Sequence, residues 1–306
     1  MTMATPTAES TPVSQKQPPH PVQGVGPGDR AISVLNGGFL LLWGLITTLP
    51  LLWAIISAFK TNGEFRTKPL ALPTSLQWDN FVRAWTEANI GQFFINSVIV
   101  VSMSLTMTMA FSAMAAYVLA RYDFVGNRLV YYLFLGGLMF PVFLALVPLF
   151  FVVNNTSAIP GLGLNSYLSL ALVYTAFSMP FTVFFLTAFF RTLPTAVEEA
   201  AIIDGCSHFM LFWRVMVPMA KPGLISLALF NFLGHWNQYV LPLVIMQSND
   251  KKVLAQGLAQ LVRSTGFRAD QVALFAGTVI ALLPVLIVYV LFQKKVQAGL
   301  TAGLLK

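Results

Sequence analysis

Long apolar runs separated by short polar stretches set the pattern of this chain. Six runs contain no Asp, Glu, Lys or Arg. Each supplies the ~20 residues that a helix needs to cross about 30 Å of hydrocarbon. A charge at the centre of such a helix costs about 2.5–3.5 kcal/mol, so its absence from all six predicts six transmembrane helices. The runs cover residues 31–59, 93–120, 129–153, 165–190, 222–246 and 271–293.

The composition agrees with an all-α membrane protein surrounded by lipid. Of the 306 residues, 57% are hydrophobic and 9% are charged, whereas soluble domains have about 25% charged residues. So few charges cannot cover a surface in water, but lipid requires an apolar outer surface. The net charge of +7 comes from basic residues between the apolar runs and not from a basic stripe with interleaved aromatics. We therefore expect no nucleic-acid partner.

Residues 1–30 differ from the rest of the chain. They are rich in Pro, Ser, Thr, Gln and Gly and contain no apolar run, which predicts a disordered tail. They also lack the short apolar region of a cleavable signal peptide, so the first apolar run is expected to act as an uncleaved signal-anchor. The predicted organisation is a tail, 1–30, and a six-helix domain, 31–306. The single cysteine, Cys206, excludes an internal disulfide framework and a multi-cysteine metal site, and we expect no metal.

The loop 191–221 has a pattern of its own. Thr195 and Glu198 have the spacing of a capping box, which predicts the start of a helix. Gly205 fits the position just after a helix, where a left-handed backbone is common, and Ser207 can cap a second helix. The loop is therefore predicted to be a helix–turn–helix outside the membrane.

The first of these two short helices has two unlike sides. At about 100° per residue, one side is formed by small residues and the other by acidic ones. Small side chains let another backbone approach closely, so the helix is shaped to dock into a partner, although a surface helix without a partner also fits. The small residues are Ala196, Val197, Ala200 and Ala201, and the acidic ones are Glu198 and Glu199.

The same loop resembles the EAA loop of bacterial ATP-binding-cassette importer permeases. That motif is E-A-A, three residues, G, nine residues, I-x-L-P, and the spacing here is the same. Other segments resemble the carbohydrate branch, and the chain is most similar to the six-helix permease of the maltose-type pair. The motif residues are Glu199, Ala200, Ala201, Gly205 and Pro218, with Val215 and Val217 in place of Ile and Leu. The other segments are Asn96-Ser97, Ala116-Tyr117, Ala120-Arg121, Pro141, Pro148-Leu149, Trp236-Asn237 and the ending 297–303.

The resemblance implies a site for an ATPase subunit. In that family the EAA helix docks into a groove of the ATPase, so we name residues 191–221 the coupling loop. The C-terminal tail of the family also touches the ATPase, although this chain stops at Lys306 without the final glycine of the usual ending. The implied ATPase-coupling residues are Glu199, Ala200, Ala201, Asp204, Gly205 and Pro218, and the implied tail contacts are Gly299, Thr301 and Gly303.

The resemblance also implies partners and a location. The expected partners are a second permease subunit in a heterodimer, two copies of an ABC ATPase and an extracytoplasmic sugar-binding protein. The expected location is the bacterial plasma (inner) membrane, with several spans and both termini cytoplasmic. Basic residues are only slightly in excess on the side that this orientation makes cytoplasmic, so charge alone leaves the orientation open.

The chain carries no recognisable catalytic or nucleotide-binding motif. It contains no G-x-x-x-x-G-K-[ST] segment, so ATP is expected on a partner subunit and no cofactor on this chain. H-E-x-x-H and G-x-S-x-G are also absent, which argues against the enzymes that these motifs mark. We expect a non-catalytic subunit of an ATP-driven importer.

Polar residues in the fifth apolar run are candidates for a sugar pathway. Asn231, His235, Trp236 and Asn237, with the adjacent Gln238 and Tyr239, lie at a depth where polar groups are costly unless they face protein or water. They can serve sugar hydroxyls, or they can make bonds between helices, and both interpretations stay open. An ion-coupled secondary transporter is the alternative function. Its expected mark, an acidic residue within a span, is absent from all six runs. The identity of the sugar also stays open.

Overall fold

The computed structural model describes residues 27–264 and 270–302, which form helices without a β-strand. A π-helical segment, Phe212–Met216, and two short 3₁₀ helices lie between α-helices. The α-helices are α1 (Pro27–Ala58), α2 (Asn62–Thr67), α3 (Asp79–Thr86), α4 (Ile90–Arg121), α5 (Asn127–Met139), α6 (Val142–Asn155), α7 (Tyr167–Thr192), α8 (Thr195–Ile203), α9 (His208–Leu211), α10 (Val217–Met219), α11 (Lys221–Trp236), α12 (Val240–Ile245), α13 (Leu254–Ser264) and α14 (Gln271–Ala302).

Four helices in the described residues are long and apolar enough to cross a membrane. They are α1 from Ile32 onward, α4, α7, and α14 as far as Gln293. Two bent helix pairs raise the number to six if each pair counts as one span. The pair Asn127–Met139 and Val142–Ala158 bends by 103°, and the pair His208–Met219 and Lys221–Trp236 bends by 76°. The predicted class, an all-α membrane protein, is therefore confirmed.

The third predicted span is not one straight helix. It is divided into α5 and α6 at Pro141, where Phe140 and Pro141 both have extended backbone. The proline ring disfavours helical backbone in the residue before it, and proline itself has no N–H to continue the helix. The apolar run is continuous, but its backbone turns sharply in the middle.

The fifth predicted span, 222–246, is also divided. Helix α11 ends at Trp236, and α12 begins only at Val240. The side chain of Asn237 donates to the carbonyl of Leu233 at 2.9 Å, and Gln238 Oε1 accepts from the backbone N–H of Val240 at 3.2 Å. These side chains satisfy backbone groups that the helix would otherwise pair, so the chain turns between α11 and α12.

Helix α1 begins at Pro27, four residues before the predicted start of the first span. Residues 1–26 of the predicted tail lie outside the described residues. The chain divides into two units, Met1–Leu51 and Leu52–Lys306. The second unit contains the buried residue clusters that position the sites below.

Helices α4 and α7 form the most extensive helix pair in the described part of the chain. Small side chains of α4 recur every four residues, and each of them is 0% exposed. Small residues allow two helix backbones to approach closely, which strengthens van der Waals contact where water does not drive association. We name these four residues the small-residue stripe: Ser104, Thr108, Ser112 and Ala116.

The ends of α4 and α7 continue into a core beneath the coupling loop. Tyr117 of α4 packs edge-on against Phe190 of α7, with ring centroids 5.7 Å apart. It also lies 5.1 Å from Phe212 of the loop. Leu211 and Met216 are buried in the same cluster. The coupling loop is therefore packed onto the ends of α4 and α7, the helix pair with the most extensive contact.

Candidate functional site

The first helix of the coupling loop, α8, begins without the predicted capping box. Its N-cap is Pro194, with φ −63° and ψ 129°, and Thr195 is already helical. The Glu198 carboxylate turns away from the cap and lies 3.1 Å from the Nε of Arg121. The predicted capping role of Thr195 and Glu198 is wrong, because a charged partner on another helix attracts the glutamate.

The end of α8 has the predicted left-handed glycine. Gly205 has φ +83°, and its N–H donates to Ile202 O at 3.0 Å. The N–H of Cys206 donates to Ala201 O, also at 3.0 Å. This pair of bonds is the Schellman arrangement, which satisfies the last carbonyls of a helix. Gly205 therefore fixes where α8 stops and how the chain turns towards α9.

The second half of the loop begins as predicted at Ser207. Its hydroxyl accepts from the N–H of Met210 at 3.3 Å. The helix then passes through the π-helical segment into α10, which contains Pro218. The helical segment that follows Ser207 thus extends to Met219. The predicted helix–turn–helix is present, and Pro218 lies beside the bend into α11.

The exposed side of α8 is mostly apolar. Ile203 is 85% exposed, Ile202 is 51% exposed and Val197 is 37% exposed. Glu199, Ala200 and Asp204 are exposed as well. Ala201 is only 9% exposed and belongs to the core beneath the loop. The predicted small-residue side is therefore wrong for Ala201, because the pairing of Glu198 with Arg121 turns that part of the helix inward.

Arg121, the last residue of α4, contacts the coupling loop twice. Its Nη2 donates to the carbonyl of Leu193 at 2.6 Å, and its Nε forms the ion pair with Glu198. The two side chains are only 8% and 14% exposed. Burial raises the pKa of the Glu198 carboxyl, the Arg121 guanidinium lowers it, and nearby Glu199 raises it. The arginine thus offsets part of the cost of burying this carboxylate.

A second contact joins α4 to α9. The Tyr122 hydroxyl and the Nδ1 of His208 lie 2.9 Å apart, within hydrogen-bond distance, and their rings meet edge-on at 5.7 Å. The coupling loop is therefore held at its beginning by Arg121, the last residue of α4, and in its second helix by Tyr122, the residue that follows α4.

A cavity of about 310 Å³ lies between α6, α7, α11 and α12. Three of the predicted polar residues, Asn231, His235 and Gln238, line it, together with Ser178. Aromatic rings supply most of the remaining wall: Tyr174, Phe177, Phe181 and Phe230. Rings of this kind can stack on sugar C–H faces, and the polar groups can bond hydroxyls.

His235 holds three helices together at this cavity. Its Nδ1 lies 2.9 Å from Ser104 Oγ of α4, and its Nε2 lies 2.8 Å from Ser178 Oγ of α7. Asn231 donates to Thr182 Oγ1 and to Leu227 O, both at 2.9 Å. Both ring nitrogens of His235 are thus occupied within the chain. Its bonds and those of Asn231 fit interhelical bonding, one of the two interpretations left open by the sequence.

Trp236 and Asn237 lie away from this cavity wall. Trp236 is 6% exposed, and its indole N–H donates to Ala281 O of α14 at 3.1 Å. It stacks on Phe232 and meets Phe94 edge-on. Asn237 bonds its own helix. The predicted pathway group is therefore not one cluster, since Trp236 packs α11 against α14.

The predicted tail contacts can be placed only in part. Gly299 and Thr301 lie within α14, and Gly303 lies outside the described residues. The sequence did not indicate that Ser178 lines the cavity or that Ser104 contacts His235. Single serines within apolar runs were the sequence features that could have indicated these residues. Ser104 and Ser178 lie far from His235 along the chain, so the sequence could not predict that they contact it.

Comparison with known proteins gives consistent matches over most of the chain. Residues 109–301 match the family described as binding-protein-dependent transport system inner membrane component. The diacetylchitobiose uptake system permease protein NgcG of Streptomyces coelicolor is 47% identical over 275 residues, which are 90% of this chain and 89% of that protein. The arabinooligosaccharides transport system permease protein AraQ of Halalkalibacterium halodurans is 34% identical over 274 residues, 88% of this chain and 95% of that protein.

A solved structure shares the fold. It is a chain of a bacterial ABC transporter involved in the import of the acidic polysaccharide alginate. The TM-score is 0.73 at 18% sequence identity, and the alignment covers 88% of this chain and 98% of that one. At this identity the likeness concerns the architecture alone.

Proposed function

The chain belongs to the family of binding-protein-dependent transport system inner membrane components, and on this premise we propose how it works within a sugar importer. It is a non-catalytic permease subunit of a carbohydrate ABC importer. It forms half of the translocation pathway and couples that pathway to a separate ATPase through the coupling loop. Membership of this family argues against the alternative of an ion-coupled secondary transporter.

The exposed side of α8 carries this proposal. A helix packed on its inner side and exposed at Ile203, Ile202 and Val197 presents an apolar surface outside the membrane spans. Exposed apolar patches of this kind mark interaction sites. Glu199 and Asp204 add charges at the edge of the patch, where they can steer and orient a partner. The partner of this surface is an ABC ATPase, which receives α8 in a groove. The assembled importer contains two copies of this ATPase.

The orientation follows from the same surface. An ATPase works on the cytoplasmic side, so α8 is cytoplasmic. An even number of spans places both termini on that side of the bacterial plasma membrane. The opposite side receives an extracytoplasmic sugar-binding protein, and a second, different permease subunit completes the pathway.

The substrate class that we propose is a disaccharide of N-acetylated amino sugars. The relative with 47% identity is named for diacetylchitobiose uptake, as is a second relative from the same organism with 30% identity. The cavity of about 310 Å³ with aromatic and amide-bearing walls suits a small oligosaccharide. Gln238, whose side chain is bonded only through its oxygen to Val240 N–H in the described residues, is the residue that we assign to sugar contact.

Photo-cross-linking tests the coupling role. Cys206 is replaced by Ser, and a thiol-reactive benzophenone is attached to the Ala200→Cys variant in native membranes. We expect an adduct with a co-purifying ATPase, and none from the matched variant Val125→Cys, which is exposed on the loop between α4 and α5. Absence of an ATPase adduct from Ala200→Cys at normal membrane abundance contradicts the proposed coupling surface.

Uptake of radiolabelled N,N′-diacetylchitobiose tests the substrate. Cells lacking this chain should lose uptake, and the full-length chain should restore it. Arabinobiose serves as the competing sugar and should leave uptake unchanged at equal concentration. Unchanged diacetylchitobiose uptake in cells lacking this chain, or uptake that arabinobiose competes, rejects the proposed substrate class while leaving the coupling role intact.

A further inference from the structure

One side chain joins the transmembrane helix α4 to the proposed ATPase-docking helix, α8. Arg121 ends α4, and its guanidinium contacts both the carbonyl of Leu193, before α8, and the carboxylate of Glu198, within α8. The Nη2 group forms a hydrogen bond with Leu193 O, whereas Nε and Glu198 Oε1 are in ionic contact without a hydrogen bond. The planar guanidinium can reach both partners at once from two of its nitrogens, which a lysine ammonium, a single point charge, cannot. The contact therefore fixes both the position and the rotation of α8.

Helix α8 depends on such contacts for its position. It has nine residues, and helices this short are not stable by themselves in water. Its outer side is exposed, so only the inner side can hold it. Within the described residues that side offers Ala201, packed on the core, and Glu198, paired with Arg121. A methyl group allows sliding, whereas a charged pair with low exposure holds its two partners close together, here at 3.1 Å.

Helix α4 is suited to carry a displacement along its length. It contains no proline, unlike the other three long spans, which contain Pro50, Pro180 and Pro284. From Ser104, which contacts His235 at the cavity, to Arg121 is about 26 Å at 1.5 Å per residue. Over that distance α4 therefore lacks the proline that would kink a helix.

We infer that Arg121 is the positioning residue of α8, so that the position of α4 at the cavity sets the position of the ATPase-docking surface. This inference rests on the proposed function and names the part of the chain that joins its two sites. Arg121 does not touch the ATPase or the sugar in this arrangement. It acts through Leu193 and Glu198, and the bond between Tyr122 and His208 holds the second half of the loop to the same helix end.

The test measures the cross-linked fraction of inserted chain. The benzophenone-labelled Ala200→Cys variant, with Cys206 replaced by Ser, is combined with Arg121→Lys in the assembled transporter in native membranes. The substitution keeps the positive charge but removes the planar group that contacts Leu193 O and Glu198 at the same time. We expect the ATPase adduct per inserted chain to fall about tenfold, the change that about 1.4 kcal/mol produces. A purely structural defect lowers the amount of inserted chain but not this fraction.

The matched control is Arg128→Lys. Arg128 is an exposed arginine at the start of α5, and its replacement should leave the adduct fraction unchanged. If Arg121→Lys does not reach the membrane at wild-type abundance, Arg121→Gln combined with Glu198→Gln replaces it, because that pair leaves no buried charge without a partner. A wild-type adduct fraction in whichever of these variants inserts overturns the inference. Absence of the adduct already with Arg121 intact rejects the proposed coupling surface instead.

Discussion

At the scale of single residues, two Thr-x-x-Glu segments show why local spacing is a partial guide. Thr61 and Glu64 form a capping box at the start of α2, whereas Thr195 and Glu198 have the same spacing and do not. The difference is Arg121, which lies far from Glu198 in sequence and pairs with it in space. Gly205 was predictable because its role depends only on the local backbone. Glu198 was not, because its partner comes from another helix.

The capping box of α2 predicts an acid-sensitive segment. Hydrogen bonds from the Thr61 backbone and the Thr74 side chain and backbone lower the pKa of the Glu64 carboxyl from 4.5 to about 2. The folded segment therefore binds fewer protons than the unfolded one between these values, so its stability falls as the pH falls through that range. Hydrogen exchange of residues 61–75, corrected for intrinsic rates, should show protection declining below about pH 4.5.

Glu64→Gln is the variant that checks this assignment. It should remove the pH dependence of exchange in α2, because the amide does not titrate. Glu87→Gln, in the short connection between α3 and α4, serves as the control and should leave the dependence as in the wild type. Equal pH profiles for wild type and Glu64→Gln contradict the role assigned to this carboxylate.

Gly205 gives a second prediction at this scale. An added Cβ finds nothing within 4 Å, so the cost of substitution comes from the positive φ alone, about 1–2 kcal/mol. Gly205→Val should reduce ATPase coupling more than Glu199→Ala, since an exposed ion pair is worth only about 0–1 kcal/mol. Gly205→Asn is the matched control, because asparagine tolerates left-handed backbone.

Coupling is measured as ATP hydrolysed per sugar transported at equal abundance of inserted chain. We expect Gly205→Val to raise that ratio and Gly205→Asn to leave it near the wild-type value. If Gly205→Val couples normally while Glu199→Ala does not, the charge of Glu199 and not the end of α8 sets the docking geometry.

At the scale of helices and their connections, the prolines show what hydropathy leaves undetermined. Pro148, Pro180 and Pro284 lie inside helices that continue past them, whereas Pro141 separates α5 from α6. All four interrupt apolar runs of similar composition. Whether a freed carbonyl is satisfied depends on neighbouring helices, so the spans were predictable as apolar runs and the breaks within them were not.

Trp236 provides the prediction for helix packing. Its ring packs α11 against α14 and is 6% exposed, so Trp236→Ala should destabilise the folded chain by about 3–5 kcal/mol. The thermal midpoint of the purified protein in detergent is the measurement. Trp213→Ala, at a tryptophan that is 44% exposed, is the control and should have a smaller effect. A Trp236→Ala protein with wild-type thermal stability but no sugar uptake supports a pathway role instead.

At the scale of the whole molecule, the apolar runs predicted the class and the EAA motif predicted the family. Hydropathy measures the transfer of a segment from water into lipid, and this quantity depends on the residues of that segment alone. The cavity could not be predicted in this way, because its wall comes from α6, α7, α11 and α12, and contacts between distant segments are not written in local periodicity. For the same reason the sequence could not distinguish Asn231 and His235, which line the cavity, from Trp236, which does not.

The absence of a phosphate-binding loop from the sequence gives the prediction for the whole chain. Purified without partners, the protein should not be labelled by azido-ATP, because no glycine-rich segment can hold the phosphates. Within the assembled transporter the label should appear on the co-purifying ATPase, which serves as the positive control. Specific labelling of this polypeptide by itself, competed by unlabelled ATP, contradicts its assignment as a non-catalytic subunit.

The small-residue stripe also determines which positions of α4 tolerate mutation during evolution. Ser104, Thr108, Ser112 and Ala116 are fully buried, so any larger side chain there must push α4 away from its neighbours. Ser102 and Thr106 are small and polar too, but they are exposed and have room to change. A saturation scan of α4 should therefore show tolerance of side-chain volume that alternates around the helix. Mutations accumulate freely along its exposed line and are removed along its buried one.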